Sequence, residues 1–347
     1  MGRLIPVTQL SALDRPDRKG PMMTCPKCSH TDAIKFGTYG NHETQRFRCK
    51  PCGATFNAPT TKPLGSHTTP LDRAVRVFQL LLEGMSVRAT ARVTGVDRNT
   101  VLSLLGTVGV KCQQLLDERI VNLRPHFVQA DEAWTFVQKK QKRLTPADPI
   151  ERGDQYVWLA LDSETKLIVS SRVGKRDGLN AHLFMQDVST RIAAHHRFQL
   201  TTDGLEGYVP AVEEAFGADV DFAQLIKQYA APRTDGPDWY RPSSRVTSML
   251  PALVQGDPRP ERISTSHIER LNLTVRMQMR RFTRLTNGFS KKLANLESAV
   301  AVFVAWYNFV RVHQTLRVTP AMQAGLTDRI WSLADLLKWT DKDELAA

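Results

Sequence analysis

The chain of 347 residues has no apolar run of the roughly 18–20 residues that a helix needs to cross a bilayer. Its opening stretch, MGRLIPVTQLSALDRPDRKG, holds no apolar signal core. A membrane-spanning or exported protein is therefore not expected, and a cytoplasmic one is. Cysteine is scarce: there are five, four of them in two close pairs. In a reducing compartment, paired cysteines hold metal more often than they form disulfides. Internal repeats and low-complexity tracts are absent, which argues against a solenoid or a disordered polymer. The rest is ordinary, at 41% hydrophobic and 24% charged residues. That composition and length suit a folded protein of two or three domains.

The chain also lacks an acidic surplus. Lys and Arg total 47 against 35 Asp and Glu, a net charge of +12. Residues 1–130 carry 18 basic and 9 acidic groups, residues 131–260 carry 16 and 18, and residues 261–347 carry 13 and 8. Two basic ends flanking a near-neutral middle suit a polyanionic partner such as DNA, touched by both ends. A merely solvated basic surface is the alternative.

Texture divides the chain. Residues 1–22 form a polar tail, 23–57 hold the cysteine pairs, and 58–70 (APTTKPLGSHTTP) form a linker rich in Pro, Thr and Gly. Residues 71–120 are helical in pattern, 125–325 begin with strands and return to helices, and 326–347 form a C-terminal helix and tail. The cysteine pairs are Cys25 and Cys28, then Cys49 and Cys52, with twenty residues between. Each pair sits on a knuckle that aims two thiolates at one point, and two knuckles make the four-sulfur tetrahedron zinc prefers. Phe36, Tyr39, Phe47 and Phe56 supply a small ribbon, with residues 44–48 as a strand. A piece this short needs its metal to fold, so one structural Zn²⁺ is expected. Cys112 stands alone in a helical stretch and reads as a packed residue.

In residues 71–83, Leu71, Val75, Phe78 and Leu82 recur on one helical face. Gly84 ends that helix, and Ser86 caps a second over residues 87–93. Gly95 turns the chain, and Asp97 caps a third helix expected to run to about Thr107. This is the helix-turn-helix pattern, which sets Arg98, Asn99 and Thr100 toward bases and Arg88 and Arg92 toward phosphates.

From residue 126 the strands begin. HFVQADEAWTFVQ (126–138) carries Asp131 and Glu132 amid apolar neighbours, where ionised groups persist only when paired or metal-bound. QYVWLALD (155–162) and LIVSSRV (167–173) follow, then a helix over 178–194. FQLTT (198–202) runs into Asp203, a helix covers 206–216, and DFAQLI (221–226) is the last strand expected. Trp134 and Trp158 are expected in the core. The order β-β-β-α-β-α-β-α describes an α/β sheet with acids at strand ends, a setting that suits Mg²⁺, whose ligands are oxygens. Alternation puts Asp131 and Glu132 on opposite strand faces, so one of them is expected to face a metal; Asp162 is a weaker strand-end candidate. An amphipathic helix over 263–281 carries Glu269 in a basic stretch that includes Arg276, Arg280, Arg281, Lys291 and Lys292. His267, near its start, could orient a phosphate or water, or serve only as a cap.

These motifs (QADEAWTFV, TTDGLEGY, SHIERLNLTVR and the later NFVRVHQTLRVTPAM) resemble those of the DDE transposases, specifically the IS-one-like group of bacterial insertion sequences, over roughly residues 23–320. The resemblance implies a zinc ribbon, a helix-turn-helix and a ribonuclease-H-like core of mixed sheet flanked by helices. It implies Asp131, Asp203 and Glu269 as the catalytic acids, with Glu132 the alternative first acid, and Arg276, seven positions after the glutamate, as a DNA contact. Two Mg²⁺ ions, or Mn²⁺, would serve nicking at terminal inverted repeats and strand transfer into target DNA. A homodimer or higher oligomer would pair two ends on the bacterial nucleoid. The chain departs from the simplest pattern in the 66 residues from Asp203 to Glu269, where the Pro-rich segment 229–262 reads as a loop-like insertion. Two other readings stay open: a DNA-binding regulator without catalysis, and a nuclease or resolvase on the same fold.

Overall fold

A computed structural model of the chain describes residues 23–39, 44–57, 63–230, 246–283 and 286–339. The expected tails at 1–22 and beyond 339, most of the linker's first half, and residues 231–245 of the expected insertion lie outside the described residues. The chain divides into two units, 1–62 and 63–347.

In the first unit, β1 (Ala33–Tyr39), β2 (Thr44–Cys49) and β3 (Thr55–Asn57) form an antiparallel meander. Phe47 on β2 stacks on Phe56 of β3 at 6.0 Å between ring centres. The knuckles are built alike. Ser29 N–H donates to the Cys25 carbonyl and Gly53 N–H to the Cys49 carbonyl, each at 2.9 Å. Ser29 and Gly53 both turn the chain with positive φ.

The second unit opens with α1 (Leu71–Leu82), α2 (Val87–Thr94) and α3 (Arg98–Arg119). Ser86 accepts from Ala89 N–H and Asp97 from Asn99 N–H, the two caps the sequence signals. Gly95, left-handed at φ +69°, ends α2. The third helix does not stop near Thr107. It runs 22 residues, because Val108, Cys112, Leu115 and Leu116 continue its apolar side into the core. Gly109 lets it pass α7 (Leu293–Phe309) closely, since a Cβ there would collide with Ser298. Gly84, at φ +78°, likewise lies against the Met277 carbonyl, where no side chain fits. The end of α3 is tied down by buried Arg191, which donates to the Leu116 carbonyl at 3.1 Å and pairs with Asp117 at 2.6 Å and Asp187 at 2.7 Å.

The sheet has six strands in the order β6-β5-β4-β7-β8-β9. These are β4 (Phe127–Val137), β5 (Gly153–Asp162), β6 (Ile168–Gly174), β7 (Phe198–Asp203), β8 (Val220–Tyr229) and β9 (Val246–Gln255). The first three pair antiparallel, β7 joins β4 and β8 in parallel, and β9 returns antiparallel on β8. The strand β9 corrects the expectation of a loop-like insertion over 229–262 and of a last strand at 221–226. Its segment VTSMLPALVQ is uncharged and largely apolar. Pro251 lies on β9, the last strand in the sheet order, and an edge strand is where proline is tolerated.

Helices cover both faces of this mixed sheet. Against the Glu132 face lie α4 (Gly178–Arg191) and α5 (Tyr208–Phe216), where fully buried Trp158 packs on Phe184 and Tyr208. Against the Asp131 face lies α6 (Ser266–Gln278), joined to it through Asn272. Asn308 of α7 grips Ile168 of β6 by both its N–H and its carbonyl, at 3.0 and 2.9 Å. Short helices α8 (Pro320–Gln323) and α9 (Leu333–Lys338) follow. Trp134, expected in the core, is only half-buried. It pairs with Tyr156 of β5, while the β7 pairing on the other edge of β4 ends at Ala130. Among the described residues no helix is long and apolar enough to cross a membrane.

The crossing of α3 and α7 gives the first prediction. Gly109→Leu should lower unfolding stability by about 1–3 kcal/mol, the usual effect of overpacking, read as a lower urea midpoint with unchanged slope. An unchanged midpoint would mean that the helices are not in contact at this residue.

Candidate active site

Pairing between β4 and β7 ends at Ala130–Thr202. The next residue on each strand is an acid, Asp131 on β4 and Asp203 closing β7. Carboxylate oxygens of Asp131, Glu132 and Asp203 all lie within 4.8 Å of one another. Both candidates for the first acid, Asp131 and Glu132, therefore stand beside Asp203. Strand alternation does send them to opposite faces, Asp131 toward Asn272 of α6 and Glu132 toward Tyr208 of α5. But β7 has ended here, and both side chains reach around the uncovered side of β4 toward Asp203.

Burial and the neighbouring Asp203 push the Asp131 carboxyl up to about 6, and the same two causes push Glu132 up to about 7. Organic cations and donors offset the crowding. Arg176, from the loop after β6, spans two of the acids, with Nε 2.9 Å from Glu132 and Nη2 3.1 Å from Asp203. Tyr208 donates its hydroxyl to the other Glu132 oxygen, and burial raises the phenol well above its ordinary range, so it stays a donor. Asn272 donates to Asp131 at 2.9 Å. Three oxygen donors so close, burial and their like charges raising two of the carboxyls, form a set that fits a hard divalent cation.

Glu269 lies outside that group. It pairs with Lys227 of β8 and accepts from Thr265 at the start of α6. It sits in the same neighbourhood all the same, since its charge and that of Lys227 both act on Asp131. Glu269 is the more exposed glutamate, its side chain 44% open against 2% for Glu132. The helix carrying it is fixed at both ends of its contact with β4. Gln129 accepts from the N–H groups of His267 and Ile268 at 3.0 Å, and Asn272 holds Asp131 one turn on.

His267 does not reach the acids; its ring lies against Lys166, 3.3 Å away, and burial and that charge push its pKa down. Asp162 caps the β5–β6 turn through Thr165 and Glu164 and is not part of the cluster. Arg276 is half-buried in the last turn of α6, Arg280 follows exposed, and Arg281 is set beside Ser290. Lys291 and Lys292 are exposed just before α7, and Arg88, Arg92, Arg98 and Asn99 are exposed on α2 and α3, with Thr100 half-buried. Sequence reading missed Arg176, Lys227, Tyr208 and Asn272. The last two lie within the quoted motifs, where an acid's neighbours invite inspection. The first two come from distant loops and strands, and nothing local marks them.

In the first unit the four sulfurs of Cys25, Cys28, Cys49 and Cys52 lie within 4.8 Å of one another. Cys25 and Cys52 are 3.6 Å apart, and Cys28 and Cys49 3.5 Å. Burial pushes Cys25 up, but the N–H groups of Lys27 and Cys28 outweigh it and hold the thiol at about 6. Cys49 accepts from Cys52 N–H, yet burial and the other sulfurs push it up to about 12. Four thiolates this close cannot all ionise without a cation, so the donor set fits one tetrahedral metal ion. Cys112 is buried in α3, its thiol pushed up to about 12 by burial, and is no part of the cluster.

No family model matches the chain. Among solved structures, it is similar to the piggyBac transposase synaptic complex with hairpin DNA, at 10% identity and a TM-score of 0.42 over 79% of this chain and 72% of that one. It is also similar to the Mos1 transposase paired-end complex with the left transposon end, at 14% identity and a TM-score of 0.20, and to the Mos1 mariner paired-end complex with Mn, at 13% and 0.20. Each Mos1 match covers 45% of this chain, which spans 60% of the Mos1 chain.

Arg176 generates the second prediction. Arg176→Ala leaves Glu132 and Asp203 without their shared counter-charge. Stability without added divalent ions should fall by about 1–3 kcal/mol, less than for a fully buried pair because Arg176 is partly exposed. Millimolar Mg²⁺ or Mn²⁺ should then raise the melting temperature more than it does in the wild type. An equal metal increment in both proteins would place the cation elsewhere.

Proposed function

We propose that the chain is a DNA transposase whose acids Asp131, Asp203 and Glu269 hold divalent cations for phosphodiester cleavage and strand transfer. The observation that carries the reading is the meeting of Asp131 and Asp203 where two parallel strands stop pairing, beneath a helix that brings Glu269 into the same electrostatic neighbourhood. The transposase resemblance of the three motifs supports it. Glu132 is a fixed neighbour, both of its oxygens engaged by Tyr208 and Arg176.

Bound Mg²⁺ or Mn²⁺ would supply Lewis acidity for the attacking and leaving oxygens. The chain's own groups do the rest. Water attacks the scissile phosphorus at a transposon end, the P–O3′ bond breaks, and a free 3′-hydroxyl and a 5′-phosphate result. That hydroxyl then attacks a phosphodiester of target DNA and displaces its 3′-oxygen. Glu269, paired with Lys227 here, would have to leave that partner to help hold a cation, and Arg276, Arg280, Lys291 and Lys292 would hold backbone phosphates. The helices α2 and α3 act as the helix-turn-helix that reads the terminal repeats with Arg98, Asn99 and Thr100, and Arg88 and Arg92 anchor its frame. The four cysteines hold one structural Zn²⁺. Two ends joined in one reaction call for a dimer or larger assembly.

End-bearing DNA, purified protein and Mg²⁺ should give nicks and joined products. Asp203→Ala and Glu269→Gln should each lower both by about 10³-fold or more, in line with removing a main electrostatic group from an active site. Glu132→Gln should keep more than about a tenth of the activity. Full activity of Asp203→Ala, or nicks without any joined product, would overturn the transposase reading; the second outcome would leave a nuclease. Elemental analysis should return one zinc per chain, falling to near zero in Cys25→Ser, and zinc-free native protein would sink the ribbon assignment.

A further inference from the structure

Beyond the acids, β4 runs on into a cleft of about 660 Å³. Its floor carries Trp134 and Phe136, which alternate on the same strand face as Glu132. Phe289 closes on Phe136 at 4.7 Å between ring centres, and Trp134 lies 5.8 Å from Phe136. Over these rings stands the Lys140 ammonium, 5.8 Å from Trp134 and 6.0 Å from Phe136. Arg281 lines the inner end. Lys142 and Arg143 line it as well, and among the described residues no acidic one does.

The wall is built rather than loose. Thr135 donates to the Arg281 carbonyl at 2.9 Å, Arg281 Nε donates to Ser290 Oγ at 2.9 Å, and Gln138 N–H donates to the Ser290 carbonyl at 2.9 Å. Those three bonds lock the segment carrying Phe289 onto the end of β4. Arg281 makes no ion pair among the described residues, and burial alone pulls its pKa down to about 10. A half-buried guanidinium that lines a cleft without an acid beside it suits an anion.

Aromatic faces in a basic recess accept flat bases, while the positive charges take the phosphates between them. Within a duplex the base faces are stacked on each other and cannot reach such rings. From Glu132 to Trp134 is about 7 Å along the strand, roughly two base steps of B-DNA. We propose that this cleft holds an unpaired nucleotide of the DNA strand beside the scissile phosphate, its base against Trp134, Phe136 and Phe289 and its phosphate on Arg281. The inference rests on reading the chain as an enzyme acting on DNA, and it names the form of DNA the site receives.

The test uses the full chain without added Mg²⁺, so that no cleavage is needed. Fluorescence anisotropy compares a labelled dT 12-mer with an abasic strand of the same backbone. The dT strand should bind roughly tenfold tighter, the usual worth of a stacked base. Trp134→Ala and Phe289→Ala should bring the two strands within about twofold, Trp134→Tyr should keep the preference, and Arg281→Gln should weaken both strands alike. Photocrosslinking of a 5-iodouracil strand to wild-type protein should land on Trp134, Phe136 or Phe289, which removes any dependence on the folding of the variants. Equal binding of both strands by wild type, or crosslinks confined to other peptides, would overturn the proposal. So would tighter binding of an equivalent rU strand. Absent nicking with an intact base preference defeats the enzymatic reading alone; intact nicking without base preference defeats the cleft alone.

Discussion

Mutual repulsion of carboxylates at the end of two parallel strands is the constraint around which the rest of the second unit is arranged. Two unit charges 4 Å apart in a partly solvated protein repel by about 4 kcal/mol, and this cluster brings three carboxylates within 4.8 Å. The fold tolerates them because other elements deliver compensation to that point. Arg176 arrives from the loop after β6, Tyr208 from α5, Asn272 from α6 and Lys227 from β8. Each of these contacts also fastens its element to the sheet. The charge that makes the site chemically useful is thus the same charge that organises helices on both faces.

The helices at the start of the unit share this rigidity. Their third member does not end as a free recognition helix would. Its second half is core, crossing α7 at Gly109 and held at its end by Arg191. Gly84 brings the turn after α1 against the last turns of α6, the helix that bears Glu269. The exposed residues at the start of α3 and the carboxylates therefore belong to one packed body. A DNA strand engaged by Arg98 and Asn99 would meet the acids at a fixed spacing, without a hinge to reset it.

Much of this was legible in the residues because it is local. The helix caps at Ser86 and Asp97, the left-handed Gly95, the cysteine knuckles and the strands around QADEAWTFV follow from short-range chemistry, and the structure places them where that chemistry predicts. What was not legible depends on where strands end. Alternation correctly sent Asp131 and Glu132 to opposite faces, but nothing in HFVQADEAWTFVQ says that the neighbouring strand stops at Asp203 and lets both side chains reach around. The strand Val246–Gln255 was hidden by its proline-rich approach and by its own Pro251, which signals a loop in any position but a sheet edge. Arg176 and Lys227 look like any other surface bases until the sheet brings them to the acids.

The distribution of charge along the chain then acquires a structural meaning. A cluster of acids repels the polyanion it is proposed to cut, so approach depends on positive groups near enough to reverse the local field. Arg176 does this within the cluster and Lys227 beside it, on Glu269, and both are engaged by acids. They hold the acids together more than they draw in a phosphate. Further positive groups lie along the chain, at Arg280, Arg281, Lys291 and Lys292 and around the cleft at the end of β4. Because Thr135, Arg281, Ser290 and Gln138 bind that stretch to the strand that carries Asp131, attraction and chemistry share one rigid element. A substrate drawn in by the bases is brought to the acids by the geometry of β4 itself.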